Sequence, residues 1–213
     1  MEFLTLFCVL LIGSLKAKGL FSSGDDELAL EAKNGSRAAF DKLYDKYKRP
    51  IINYIYRYVG DLSHAEEIAQ EAFIRVYTNI DRYVEKGKFS SWVYTTAGNL
   101  AKNFLRDKSR FTEISIDKEI QGQEGEVSLL DIIADKGRTP QEETQKEEID
   151  KLIQQGINKL KPKHKEVIIL CDIQGLSYEE AAKVLKCPSA TVGSRLSRAR
   201  EYLARILKVL RKK

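Results

Sequence analysis

Histidine, cysteine and strand-like alternation are all scarce in this chain, and each scarcity closes off a class of function. There are two histidines and three cysteines among 213 residues. Cys8, Cys171 and Cys187 form no Cys-x-x-Cys pair and leave one over, so neither a disulfide framework nor a zinc knuckle is suggested, and a reducing cytoplasm fits. His164, Cys171 and Cys187 match no zinc spacing, and no metal or cofactor is expected; Cys171 and Cys187 read as small core hydrophobes. The chain has no phosphate-binding loop and no nucleophile with a base partner, so no enzymatic activity is expected.

A long apolar run is missing as well. Phe3 to Leu15 is nearly continuous apolar sequence, but it falls short of the ~20 residues that span a bilayer, and Glu2 sits where a signal peptide wants positive charge. Residues 1–24 therefore stand apart, with three readings open: an upstream misassigned start, an extra packing helix, or a membrane-associating element. Met1 is the only methionine, so no internal Met marks another start, and membrane contact is expected only if this extension is real.

What the chain does have is helical periodicity and segregated charge. Its net charge of +5 conceals two opposite ends. From Arg195 to Lys213 eight basic residues face Glu201 alone, a local +7 suited to phosphates, whereas Phe111 to Asp150 carries twelve acidic and four basic residues, a local −8.

The spacing predicts an all-α fold: two small helical bundles joined by an acidic flexible linker, the second containing a helix-turn-helix. In the first bundle, 25–110, a short helix begins near Asp25. A longer one after Ser36 carries Phe40, Leu43, Tyr47, Ile51, Tyr54 and Tyr58 on one face, with Pro50 expected to kink or restart it. The next opens on a Ser63 and Glu66 capping box and buries Ala65, Ile68, Ala69, Ala72, Phe73 and Val76. A fourth runs from about Ser90 to Arg106 with Trp92, Val93, Ala97, Leu100 and Phe104 inward.

Periodicity fades over 111–138, where acid and glycine accumulate around a short apolar anchor at Leu129 to Ile133. The second bundle, 139–213, begins with Thr139 as N-cap and Pro140 at the first helical position, and Ile149, Leu152, Ile153, Ile157 and Leu160 follow at helical spacing. Another helix spans from Pro162 to just before Gly175. Ser177 then caps a helix with Glu180 three residues on, Lys186 to Pro188 make a turn, and a further helix starts near Ser189. Val192, Leu196, Ala199, Leu203 and Ile206 form the buried stripe of this last helix, leaving hydroxyls and guanidinium groups outward, able to reach phosphates and base edges or to serve only as a solvated face.

The run from Leu176 to Glu201, LSYEEAAKVLKCPSATVGSRLSRARE, resembles the helix-turn-helix that reads the minus-thirty-five promoter element in extracytoplasmic-function (ECF) sigma factors of the sigma-70 family. Ala65 to Phe73, AEEIAQEAF, resembles that family's polymerase-binding helix. Phe89 to Arg106, FSSWVYTTAGNLAKNFLR, resembles its promoter-melting and minus-ten-reading helix. Ala101 to Leu105 and the Cys187-Pro188 turn look closest to the sigma-E-like subgroup.

The resemblance implies a sigma factor that binds core RNA polymerase and promoter DNA and is held by an anti-sigma factor, in the cytoplasm. By position it assigns Glu67, Gln70 and Glu71 to core polymerase; the other reading of these three is a solvated polar face. It assigns Asn99 and Asn103 to capture of an unpaired minus-ten base, since an amide offers both donor and acceptor, and Lys102, Arg106, Lys108 and Arg110 to backbone phosphates. Thr191, Ser194, Arg195, Ser197 and Arg198 fall at the minus-thirty-five element. Trp92 and Phe104 are read as core packing, with base stacking the competing role. The acidic segment corresponds to one that threads the polymerase cleft and RNA exit path, or acts as a solubilising tether.

Gly98, Gly193, Ala190 and Ser197 depart from the family pattern, so the preferred minus-thirty-five sequence does not transfer. The competing function is a stand-alone helix-turn-helix transcription regulator, which would bind duplex DNA without polymerase.

Overall fold

The computed structural model describes residues 24–84, 88–114 and 140–210. Among them the secondary structure is entirely helical. The amino-terminal extension, most of the acidic segment with its Leu129–Ile133 anchor, and the Thr139 cap lie outside the described residues.

Helix α1 (Gly24–Lys33) places Asp25, Asp26 and Glu27 in its first turn, where acid complements the helix dipole. Two of these carboxylates also fix tertiary structure. Buried Asp25 accepts from Lys46 Nζ (2.6 Å) and the Tyr47 hydroxyl (2.7 Å), and Asp26 accepts from the Tyr83 hydroxyl (2.6 Å) and the Phe89 backbone N–H (2.8 Å).

Helix α2 (Arg37–Val59) is capped by Ser36, whose Oγ accepts from Ala39 N, and ends on Gly60 at φ 79. It runs without a break through Pro50. A proline here costs about 3 kcal/mol in an isolated helix, yet Tyr47, Ile51 and Tyr54 around it are almost fully buried, so packing holds the turn together. The cap of helix α3 (Leu62–Thr78) corrects an expectation. It is Asp61, in extended conformation, with Oδ1 accepting from His64 N at 2.9 Å; Ser63 lies inside the first turn. A 3-10 turn (Ile80–Arg82) leads to helix α4, which extends beyond the expected end to span Phe89–Ile114.

The second bundle opens with α5 (Pro140–Asn158). Ile153, Ile157 and Leu160 are buried as their spacing predicts, but Ile149 is 38% exposed, because the helix turns Asp150 and Gln154 toward the first bundle instead. Helix α6 (Pro162–Val167) passes into a π-helical turn (Ile168–Ile173) whose six residues are all buried. Helix α7 (Tyr178–Leu185) carries the expected capping box: Glu180 N donates to Ser177 Oγ, and Glu180 Oε2 accepts from Ser177 N at 3.0 Å. Lys186, left-handed at φ 50, makes the turn into α8 (Ser189–Leu210).

The two bundles pack on each other, α2 against α5 and the π turn, and α4 against α7. Tyr94 donates to Gln174 Oε1 (3.0 Å), Lys165 Nζ to the Tyr58 carbonyl (2.8 Å), and Lys102 pairs with Glu166 (2.9 Å) across this seam.

Candidate nucleic-acid interface

Helix α8 presents its two faces as the spacing predicts. Val192, Leu196, Ala199 and Leu203 are at most 1% exposed, packed under α7 and the π turn, and Ile206 is partly buried. Ser194, Ser197 and Arg198 are exposed, and Thr191 and Arg195 lie at the margin. Arg195 Nη1 sits 4.0 Å from Cys187 Sγ, so the half-buried guanidinium rests against the turn. Cys187 is thus only half-buried, whereas Cys171 is a core residue, its thiol pushed up to about 12 by burial.

One member of the basic end points the other way. Arg200 makes a bidentate pair with buried Asp172 (2.9 and 2.6 Å), a contact that raises its pKa further, so its charge braces α8 against the π turn. The local +7 therefore overstates what α8 offers to phosphates.

On α4, Asn99, Lys102, Asn103 and Arg106 line one exposed stripe, with Lys108 and Arg110 exposed beyond it. Opposite them Val93, Tyr94, Ala97 and Ala101 are fully buried. Phe104 is half-buried against His64 (4.8 Å between centroids). Trp92 stacks on Tyr83 at 5.7 Å and 27° and meets Phe89 edge-on, which accounts for it as packing. The rim of that cluster opens into a shallow pocket of about 420 Å³ bordered by Arg82, Ser91, Thr95 and Lys183.

On α3, Glu67 and Gln70 are exposed and Glu71, half-buried, accepts from Arg75 Nε at 2.6 Å. The same face continues into Ile74 and Tyr77, 58% and 48% exposed. Sequence reasoning passed over these two; the signal was a pair of large apolar residues lying off the buried stripe yet in helical step with Glu67, Gln70 and Glu71.

Among the described residues no cluster of histidine, cysteine and acidic side chains could hold a metal ion, and no helix is long and apolar enough to cross a membrane.

The arrangement defines a two-part transcription protein: one bundle with a polar and basic helix beside an acidic, partly apolar face, and one with a helix-turn-helix whose outer surface is basic. Residues 43–111 match sigma-70 region 2 and residues 150–203 match sigma-70 region 4. The chain is 39% identical over 180 residues to the ECF RNA polymerase sigma factor SigW of Bacillus subtilis, covering 84% of this chain and 95% of that protein. It is 32% identical to the ECF sigma-E factor of Escherichia coli, covering 84% and 92%. The fold is similar to that of CnrH in complex with the cytosolic domain of CnrY (TM-score 0.64, 21% identity, 88% of this chain and 99% of that one). It is also similar to the sigma factor RpoE from Bartonella quintana in complex with the anti-sigma factor NepR (TM-score 0.60, 23% identity, 80% and 97%). The chain belongs to the ECF sigma factors of the sigma-70 family, which direct RNA polymerase to promoters.

Proposed function

We propose that the chain's two bundles divide the work of a sigma factor: 25–110 binds core polymerase and opens and reads the minus-ten element, and 139–213 reads the minus-thirty-five element. The single observation that carries this division is the pair of exposed polar and basic stripes, on α4 and α8, one in each bundle. Glu67, Gln70 and Glu71 with Ile74 and Tyr77 form the polymerase-facing surface; a mixed face of acid, amide and exposed aromatic matches the anatomy of a protein interface. Asn99 and Asn103 take an unpaired base, and Lys102, Arg106, Lys108 and Arg110 hold phosphates. Thr191, Ser194, Arg195, Ser197 and Arg198 enter the major groove. The acidic segment 111–138 occupies the polymerase's nucleic-acid path, where its charge imitates a phosphate backbone.

The chain works in the cytoplasm without enzymatic activity of its own. An anti-sigma partner is part of this reading, supported by the partners that accompany CnrH and RpoE in their structures.

Reconstitution tests it. Core RNA polymerase, this chain and genomic fragments should yield discrete transcript starts preceded by a shared pair of elements. A chain that binds duplex promoters tightly alone and adds no starts to core polymerase would be the stand-alone regulator instead.

A further inference from the structure

Asp25 and Asp26 are neighbours on α1 with opposite partners. Asp25 ties α1 to Lys46 and Tyr47 of α2, whereas half-buried Asp26 reaches across to the connection that leads into α4. A single oxygen of Asp26, Oδ1, accepts twice: from the Tyr83 hydroxyl at 2.6 Å and from the Phe89 backbone N–H at 2.8 Å. The second bond caps α4 from another helix, since the first N–H groups of a helix have no partner within it. Two turns further along α1, Lys33 Nζ donates to the Tyr83 carbonyl at 2.7 Å. Helix α1 therefore grips Tyr83 by side chain and by backbone, and grips the start of α4 as well.

What is held in this way borders the α4 stripe. Tyr83, 3% exposed, joins Arg82 and Val84 as one wall of the 420 Å³ pocket, and Ser91 and Thr95 of α4 face them. Thr95 begins a line along one side of α4 that continues through Asn99, Lys102 and Arg106 at steps of four, three and four residues. Asn99 is thus one turn, about 5.4 Å, beyond the pocket. Arg82, Tyr83 and Val84 precede α4, so the helix alone does not fix their distance from the stripe. Stacking on Trp92 and edge contact with Phe89 hold the Tyr83 ring, but such contacts tolerate sliding. The three hydrogen bonds to Asp26 and Lys33 are directional and set its position along and about the helix.

We infer that Asp26 and Lys33 are positioning residues for minus-ten reading: they fix the Arg82–Val84 wall against the Asn99 end of α4, and so set how strictly the holoenzyme discriminates bases there. Neither touches DNA. Their effect is geometric, because a recognition site discriminates only while its walls are held to within about 0.5 Å. The inference rests on the reading of α4 as the minus-ten-reading helix.

The test uses the full chain reconstituted with core RNA polymerase, on a promoter library randomised at minus ten, below the melting temperature of every variant. Asp26→Ala should reduce preference at the most selective minus-ten position by at least about fivefold, the low end of what one good base contact supplies. Lys33→Met, at an exposed position, should reduce preference at the same base pair, and it keeps the test open should Asp26→Ala fail to fold. Core affinity and minus-thirty-five preference should stay at wild-type values in both. Asp26→Asn should restore preference, because one amide oxygen can accept both donors that Oδ1 now accepts. If the folded variants melt earlier yet keep wild-type minus-ten preference, α1 is packing alone and the positioning role is overturned. Equal losses of core affinity and of preference at both elements would overturn it too, as general damage. Asn99→Ala runs alongside: if it also leaves minus-ten preference unchanged, the reading of α4 fails, and the positioning role with it.

Discussion

Gly98 lies directly beneath the Tyr54 hydroxyl: a Cβ at this position would come within 2.6 Å of that oxygen. Tyr54 cannot withdraw, because it is 1% exposed and wedged edge-on between Tyr58 and Tyr94. The glycine, a departure from the family pattern, is therefore paired with a tyrosine on α2, and the two together let α4 approach α2 closely just before Asn99. At Gly193 a Cβ would meet only an ordinary 3.5 Å neighbour in Tyr178, and nothing in the packing demands a glycine there.

Gly98→Ala should accordingly destabilise the first bundle by about 1–3 kcal/mol through overpacking. Combined with Tyr54→Phe, the alanine should instead be tolerated, since without the hydroxyl the nearest ring atom, Tyr54 Cζ, is 3.5 Å away and alanine favours helix. A denaturant-melt double-mutant cycle reads this coupling. Strictly additive effects would mean that the close approach carries no energy.

The polymerase-facing surface predicts a loss of affinity without a loss of fold. Glu67 and Gln70 are exposed, and half-buried Glu71 pairs with Arg75 of the same helix, so alanine at all three should leave helicity intact. Affinity for core polymerase should fall by at least about tenfold, or 1.4 kcal/mol. Ile74→Ala with Tyr77→Ala should add to the loss. Competition binding against a labelled sigma factor measures both, and a folded triple variant of unchanged affinity removes this face from the interface.

What the sequence disclosed was mostly local. The Ser177 and Glu180 capping box, the turn through Lys186 and the α8 stripe each depend on residues within a few positions, and all stand where spacing puts them. The α3 cap was misjudged because Ser63 and Asp61 both satisfy the local rule, and only the extended backbone at Asp61 decides between them. The seam was not legible. Arg57 and Asp150 are 93 residues apart, and each resembles an ordinary surface charge until α5 is seen to lie on α2. Arg200 shows the same limit in reverse: counted in a basic tail, it is spent on Asp172.

Asn99 and Asn103 are exposed one turn apart on α4, with Lys102 between them. Their replacement by alanine should slow open-complex formation on duplex promoters while leaving core binding unchanged, because neither contributes to the buried side of the helix. A pre-melted template should restore the opening step but not the base preference. Permanganate footprinting of the minus-ten region gives the comparison, and normal opening by both variants would refute base capture.

Lys165 gives the seam a pH dependence. Burial alone lowers its pKa to about 8, with the Tyr58 carbonyl and Asn158 Oδ1 accepting from the amine and the Tyr58 ring and Glu166 close by. An exposed lysine keeps its proton to about 10.4, so between pH 8 and that value the unfolded chain binds more protons than the folded one. Stability must then rise with pH across this window, and the contribution is lost as pH falls through 8. Lys165→Met should lack that increment: the difference between wild-type and variant melting curves should grow from pH 7.5 to 9.5, and a parallel pair of pH profiles would show that the amine is not desolvated.

The recognition helix separates holding from reading. Arg195 lies at the margin of α8 against Cys187, a placement that leaves its charge near the turn and suits a phosphate contact. Arg195→Ala should therefore weaken holoenzyme binding almost equally across minus-thirty-five variants and reduce the salt slope by about one unit. Arg198 is fully outward, one turn from exposed Ser194 and opposite the buried Val192, Leu196 and Ala199. A bidentate contact from it to guanine discriminates by about 1–3 kcal/mol, so Arg198→Ala should flatten preference at one base pair as well as lower affinity. Arg200→Ala supplies the contrast: losing the bidentate anchor to Asp172 should lower thermal stability and leave the base preference of the remaining folded protein unchanged. Binding to a randomised minus-thirty-five library at several salt concentrations distinguishes the three. Wild-type preference and salt slope in both Arg195→Ala and Arg198→Ala would mean that this face of α8 does not meet DNA.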